Sequence, residues 1–93
     1  MQRTALVTGA TAGFGAAICR TLIENGYRVI GTGRRVARLE QLQQELGENF
    51  HFLAFDISDR QATEDAFHSL PANWQSIDLL VNNAGLALGL ETA

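Results

Sequence analysis

An apolar stretch, Ala5-Leu6-Val7, runs directly into Thr8-Gly9-Ala10-Thr11-Ala12-Gly13-Phe14-Gly15, and a helical pattern starts at once. No other segment constrains the chain as strongly. A strand that turns through glycines into a helix leaves its turn amides free and aims the helix's first N–H groups, the positive end of its dipole, at one point. Such a cradle suits an anion, and the pyrophosphate of a dinucleotide is its natural guest. The glycines have separate tasks: Gly9 permits a sharp turn off the strand, Gly13 lets backbone approach the ligand, and Gly15 lets the helix pack closely on the sheet. The competing reading is a glycine-rich turn with no ligand, and the strand before and amphipathic helix after weigh against it.

Around this turn, apolar β-favouring stretches alternate with helical patterns, with no repeat, low-complexity run or linker between them. The pattern predicts βαβαβαβ. Thr4 to Val7 reads as a buried parallel strand, and Phe14, Ile18 and Leu22, with Ala17 beside them, mark one face of a helix that Gly26 stops after Asn25. Tyr27 to Thr32 is the second strand. From Val36, Leu39, Leu42 and Leu46 recur at helical spacing until Gly47. Phe50 to Phe55 is the third strand. Ser58 and Gln61 have the spacing of a capping box that opens a helix carrying Ala62, Ala66, Phe67 and Leu70 toward Pro71. Ile77 to Val81 is the fourth strand and ends in Asn82-Asn83-Ala84-Gly85.

Right-handed crossovers dictate a spatial strand order of 3-2-1-4, with helices on both faces. The expected fold class is therefore α/β, the N-terminal part of a Rossmann-type doubly wound parallel sheet. Strand 4 of a complete sheet would have an outer neighbour, only Leu86 to Ala93 follow it here, and Asp78 alone charges that edge. Residues 1–93 are thus expected to be one portion of a larger domain.

A net charge of −3 and a pI near 5.2 argue against a nucleic-acid or anionic-membrane surface. The sequence has no apolar run long enough to span a bilayer and no signal-type N-terminus, so a cytoplasmic setting is expected. Cys19, the single cysteine, has no partner for a disulfide or zinc site and reads as helix packing. No metal site is expected. His51 and His68 lack a paired carboxylate or ligand spacing and read as structural, and Trp74 reads as a packing residue rather than a substrate contact.

Residues 8–15 match, at every fixed position, the Thr-Gly-x-x-x-Gly-x-Gly signature of the short-chain dehydrogenase/reductase family, which the chain resembles. Asn82-Asn83-Ala84-Gly85 matches a second signature of that family, at the right distance and on the right element. The resemblance implies that Gly9, Thr11, Ala12, Gly13, Phe14 and Gly15 form the cofactor turn, that Asn82 braces the central strand, and that Ala84 and Gly85 let backbone run close to the cofactor ribose. Asp56-Ile57 matches the family's acidic-aliphatic pair at the adenine ring. The alternative for Asp56 is that it only helps to cap the next helix.

The end of strand 2 separates NAD from NADP. An acidic residue there would accept hydrogen bonds from a ribose 2′-hydroxyl and repel a 2′-phosphate. This chain carries Gly33-Arg34-Arg35 and no Asp or Glu at that point. A guanidinium offers phosphate a planar fork of charge-assisted hydrogen bonds, so NADP(H) is the expected cofactor, with Arg34 as first contact and Arg35 in support. A solvated basic turn at the head of the next helix is the competing reading.

Within the family the strings Thr32-Gly33-Arg34-Arg35, Ser69 to Trp74 and Val81 to Gly89 look most similar to bacterial NADP-dependent 3-hydroxy acid dehydrogenases. Those enzymes act on serine-like 3-hydroxy acids and reduce malonic semialdehyde. The resemblance implies an oxidoreductase, a small hydroxy acid or carbonyl partner, and a homo-oligomeric enzyme. Classical members take their proton from a tyrosine whose pKa is lowered by a lysine four residues on. This chain contains no lysine, and its single tyrosine, Tyr27, begins strand 2. The cofactor half is expected here and no catalytic residue, so the 93 residues alone are expected to be inactive. A non-catalytic NADP-binding module is the rival reading. A P-loop phosphotransferase is excluded by the missing Gly-Lys-Ser/Thr.

Overall fold

The computed structural model describes residues 2–10, 13–56 and 58–82. In chain order the elements are β1 (Thr4–Thr8), α1 (Gly13–Glu24), β2 (Arg28–Gly33), α2 (Val36–Leu46), β3 (Phe50–Ala54), α3 (Arg60–His68) and β4 (Leu79–Asn82). The strands form one sheet of order β3-β2-β1-β4, and every pair is parallel. That is the order expected from right-handed crossovers. Leu6 stands opposite Ile30 on one side and Leu80 on the other, so the register holds apolar rows across the sheet.

Alternation along each strand divides the core between the two faces. Val7, Val29 and Phe50 share one face with Cys19 of α1 and with Leu39 and Leu42 of α2. Leu6, Ile30 and Leu53 share the other with Leu70, and Ala66 and Phe67 of α3 pack against them. Every residue of β1 is buried, as expected for a central parallel strand covered on both sides. Arg20 and Glu45 link α1 to α2 on the surface, with a second hydrogen bond from Arg20 Nη2 to Glu45 Oε1 at 3.0 Å.

Three local expectations need correction. Phe14 does not join the buried face of α1: it is 82% exposed, Ala17 is exposed too, and the packed stripe runs through Gly15, Ala16, Ile18, Cys19, Leu22 and Ile23. The close seat of Gly15 on the turn fixes the helix's rotation, and that turns Phe14 outward. The cap of α3 is Asp59, whose Oδ1 accepts from Ala62 N–H at 3.0 Å, rather than Ser58. Ser58 is already committed, since its hydroxyl donates to Asp56 Oδ1 at 2.7 Å, and Gln61 reaches forward to Asp65 instead of back to a cap. Asp78 precedes β4 and does not guard its outer edge; its Oδ2 accepts from Thr4 N–H at 2.9 Å and its own N–H donates to Thr4 O, tying β4 to the start of β1. Leu79 and Leu80 on that strand are exposed.

Candidate functional site

In a parallel sheet all strands deliver their C-terminal ends to one edge. Here the chain leaves β1 toward β2 on one side, while β4 lies on the other, so the ends of β1 and β4 form the topological switch point at which doubly wound sheets have their crevice. Gly9 turns the chain there with φ 66°, a left-handed conformation that side chains with a Cβ rarely adopt. Ala10 N–H then donates to Thr32 O at 2.9 Å, which fastens the turn to the end of β2.

Gly13 and Gly15 meet different surroundings. A Cβ on Gly15 would lie 2.0 Å from Gly9 O and 2.9 Å from Ala10 Cα, so only glycine lets α1 start against the turn. A Cβ on Gly13 would meet nothing within 4 Å among the described residues. Among the described residues, packing therefore does not call for a glycine at 13. No acidic residue occupies the first turn of α1, so the positive end of its dipole is not offset locally. Phe14 stands exposed at the same place.

Thr8 and Asn82 are register partners at the ends of β1 and β4. Thr8 Oγ1 donates to Asn82 Oδ1 at 3.1 Å and lies 3.4 Å from Val81 O, so this pair locks the central strand to its neighbour at the mouth of the crevice. At the end of β2, Arg34 holds its side chain 76% exposed, with Nη1 4.0 Å from Asp56 Oδ2. Arg35 is also exposed and occupies the N-cap position of α2 without a side-chain cap bond. Asp56 Oδ1 accepts from both Ser58 N–H at 3.0 Å and Ser58 Oγ at 2.7 Å. Those two donors hold the Asp56 carboxyl below the usual carboxylate range, and the Arg34 charge adds to them. Asp56 thus shapes the turn before α3 and faces Arg34, but it is not the helix cap.

Gly9, Gly13, Phe14, Gly15, Arg34, Arg35, Asp56 and Asn82 are all carried by the strand ends or first turns at this one edge. Thr11, Ala12, Ile57, Ala84 and Gly85 lie outside the described residues. One supporting residue is silent in the sequence reading. A Cβ on Gly31 of β2 would lie 2.6 Å from the Phe50 ring and 2.9 Å from Ala10 Cβ, so its absence lets ring and turn close over the strand. A glycine inside an apolar strand is the signal that marks such an approach.

The remaining singled-out side chains lie away from the crevice. Arg28 sits 4.3 Å over the Trp74 ring, and the His51 ring lies 5.4 Å from it between centroids. Arg28 also donates to Thr4 Oγ1 at 3.1 Å and to Asn73 O, at the N-terminal ends of the strands. Burial alone lowers the His51 pKa. Cys19 is fully buried, and burial pushes its thiol up to about 12. Among the described residues no His/Cys/Asp/Glu group could hold a metal ion, and no helix is long and apolar enough to cross a membrane.

The family model of the short chain dehydrogenases matches residues 3–93. A probable NADP-dependent dehydrogenase of Haemophilus influenzae is 69% identical over 90 residues, covering 97% of this chain and 36% of that protein. An NADP-dependent 3-hydroxy acid dehydrogenase of Salmonella typhi is 60% identical over 88 residues, covering 95% and 36%. A serine dehydrogenase solved in a closed form with NADP+ superposes with a TM-score of 0.80 at 51% identity, over 83% of this chain and 31% of that one. The chain spans about a third of the length of these relatives.

Proposed function

The chain belongs to the short-chain dehydrogenase family, and from that premise we propose that it holds NADP(H) for hydride transfer to or from a 3-hydroxy acid or the matching carbonyl. The observation that carries the reading is the joint placement, at one sheet edge, of an open glycine turn and an exposed arginine with no acidic residue at the end of β2.

The residues fit such a group. Gly9, Thr11, Ala12, Gly13, Phe14 and Gly15 would present turn and helix N–H groups to the pyrophosphate, where the added space at Gly13 admits the phosphate oxygens. Arg34, supported by Arg35, would engage the 2′-phosphate, and Asp56 with Ile57 would flank the adenosine. Asn82, held by Thr8, would keep β4 in place while Ala84 and Gly85 pass the ribose. The bound nicotinamide supplies the hydride chemistry, and the protein's part is to orient it and to manage the proton.

The 93 residues carry no lysine and no tyrosine near the crevice, since Tyr27 precedes β2 at the opposite end of the sheet. These residues therefore hold no tyrosine and lysine pair to supply the proton, and the chain alone is expected to bind without turning over. The 3-hydroxy acid is proposed from the names of two relatives, one a 3-hydroxy acid dehydrogenase and one a serine dehydrogenase. A cytoplasmic setting and a homo-oligomeric enzyme belong to the same proposal and rest on the family resemblance.

Titration of the chain with NADPH and NADH by isothermal calorimetry tests the cofactor reading. NADPH should bind at least about tenfold more tightly, and Arg34→Asp should abolish that ratio, since charge-assisted hydrogen bonds contribute about 1.5–3 kcal/mol each. Equal affinities in the unaltered chain would contradict it.

A further inference from the structure

We propose that Asp56 tempers cofactor selectivity through Arg34, its carboxylate acting as a built-in competitor for the guanidinium that would otherwise be free for a 2′-phosphate. The inference rests on the reading of Arg34 given above and assigns Asp56 a task beyond flanking the adenosine.

The backbone sets the two side chains beside each other. The β2–β3 register ends at Gly33 opposite Ala54, and Phe55 N–H donates to Gly33 O at 2.8 Å, carrying the ladder one step further. Arg34 and Asp56 then leave adjacent strand ends together. The carboxylate is fixed by its own turn: Ser58 N–H and Oγ both bond Oδ1, at 3.0 and 2.7 Å. This leaves Oδ2 as the oxygen that faces Arg34 Nη1, at 4.0 Å. The two partners differ in freedom, with the guanidinium side chain 76% exposed and the anchored carboxylate 48%. An exposed cation beside an anchored anion is shared between that anion and any second anion that arrives.

The size of the effect follows from the exposure. Exposed ion pairs shift an equilibrium by about one-and-a-half- to fivefold, so Asp56 should lower the effective affinity of Arg34 for a 2′-phosphate by roughly threefold. A ligand with a 2′-hydroxyl makes no use of Arg34 and is spared this competition. Asp56 thus narrows the margin by which the chain prefers the phosphorylated ribose, and Ser58 keeps the carboxylate ionised and in place to do so. Toward the 2′-phosphate Asp56 is a positioning residue, since it acts there by holding Arg34, separately from any contact it makes with the adenosine.

The test is an NMR titration of the chain with adenosine 2′,5′-bisphosphate and with 5′-AMP, which reports weak affinities and needs no turnover. The readout is the ratio of the two affinities. Asp56→Asn keeps an acceptor for Ser58 and removes the charge; it should raise the ratio about threefold and shift the Arg34 Nε–H resonance. In an Arg34→Gln background the same replacement should leave the ratio where it is. A ratio that stays or falls in Asp56→Asn, a rise that persists without Arg34, or an equal loss for both probes would each overturn the proposal. If the unaltered chain does not prefer the bisphosphate, the reading of Arg34 itself fails, and that result is distinct from a failure confined to Asp56.

Discussion

Replacing Gly13 and Gly15 one at a time with alanine separates a glycine kept for a ligand from one kept for the fold. At Gly15 the new methyl carbon would start 2.0 Å from Gly9 O; reaching the 3.4 Å at which ordinary contact begins requires α1 to retreat by about 1.4 Å from a backbone atom that cannot rotate away. Overpacking of this kind costs about 1–3 kcal/mol, and the better helix propensity of alanine returns about 0.5–1 kcal/mol. At the middle of both ranges the net loss is about 1 kcal/mol, or a fall in Tm of roughly 4–8 °C for a domain of this size. Gly13 is the first residue of α1, and among the described residues nothing stands within 4 Å of its added Cβ. Gly13→Ala should therefore unfold within about 0.5 kcal/mol of the unaltered chain, yet lose at least about tenfold in NADPH affinity, because the methyl takes the space a phosphate would use. Urea unfolding followed by far-UV circular dichroism gives the stabilities, and calorimetry gives the affinities. The reasoning is refuted if Gly15→Ala is as stable as the unaltered chain, or if Gly13→Ala binds NADPH undiminished.

Other consequences are equally open to measurement. Asp59→Ala should lower stability by about 1 kcal/mol through loss of the α3 cap, and Ser58→Ala by about half that or less, since Ser58 bonds a carboxylate and not the helix; urea midpoints of the two variants decide the order. His51 has a folded-state pKa below its ordinary 6.5, so below that pH the unfolded chain takes up a proton the folded chain refuses. Stability should therefore fall as pH drops through about 6.5, by at most about 1.4 kcal/mol per pH unit, and His51→Gln should flatten the decline in urea midpoints. The Cys19 thiol, fully buried and with a pKa near 12, should resist an aromatic disulfide reagent at pH of about 8 in the native chain and react promptly in urea.

The architecture was legible because its signals were redundant. Leucines at 39, 42 and 46, bounded by Gly47, fixed α2, and the handedness of crossovers turned four strands into one order. What misled was any residue whose place depends on a contact distant in sequence or on a competing local bond. Phe14 fits the helical period, but the seat of Gly15 on Gly9 sets the rotation and turns Phe14 outward. Ser58 fits a capping box, but Asp56 two residues earlier claims its hydroxyl, leaving Asp59 to cap. At the site, spacing located the glycine turn between β1 and α1 and placed Arg34 just after β2. The family resemblance implied that Asn82 braces the central strand, but its partner Thr8 and the approach of Phe50 and Ala10 over Gly31 were not legible, because they depend on a register between strands that periodicity does not specify.

The central claim is that NADP(H) lies across the C-terminal ends of the strands. Amide chemical-shift mapping of the chain with NADP+ tests it most directly. The account predicts shifts at Gly9, Gly13, Gly15, Arg34, Asp56 and Asn82 and none at Arg28, His51 and Trp74, which occupy the opposite end of the sheet. Shifts confined to the Arg28–Trp74 end, or no saturable shift at the glycine turn, would contradict it.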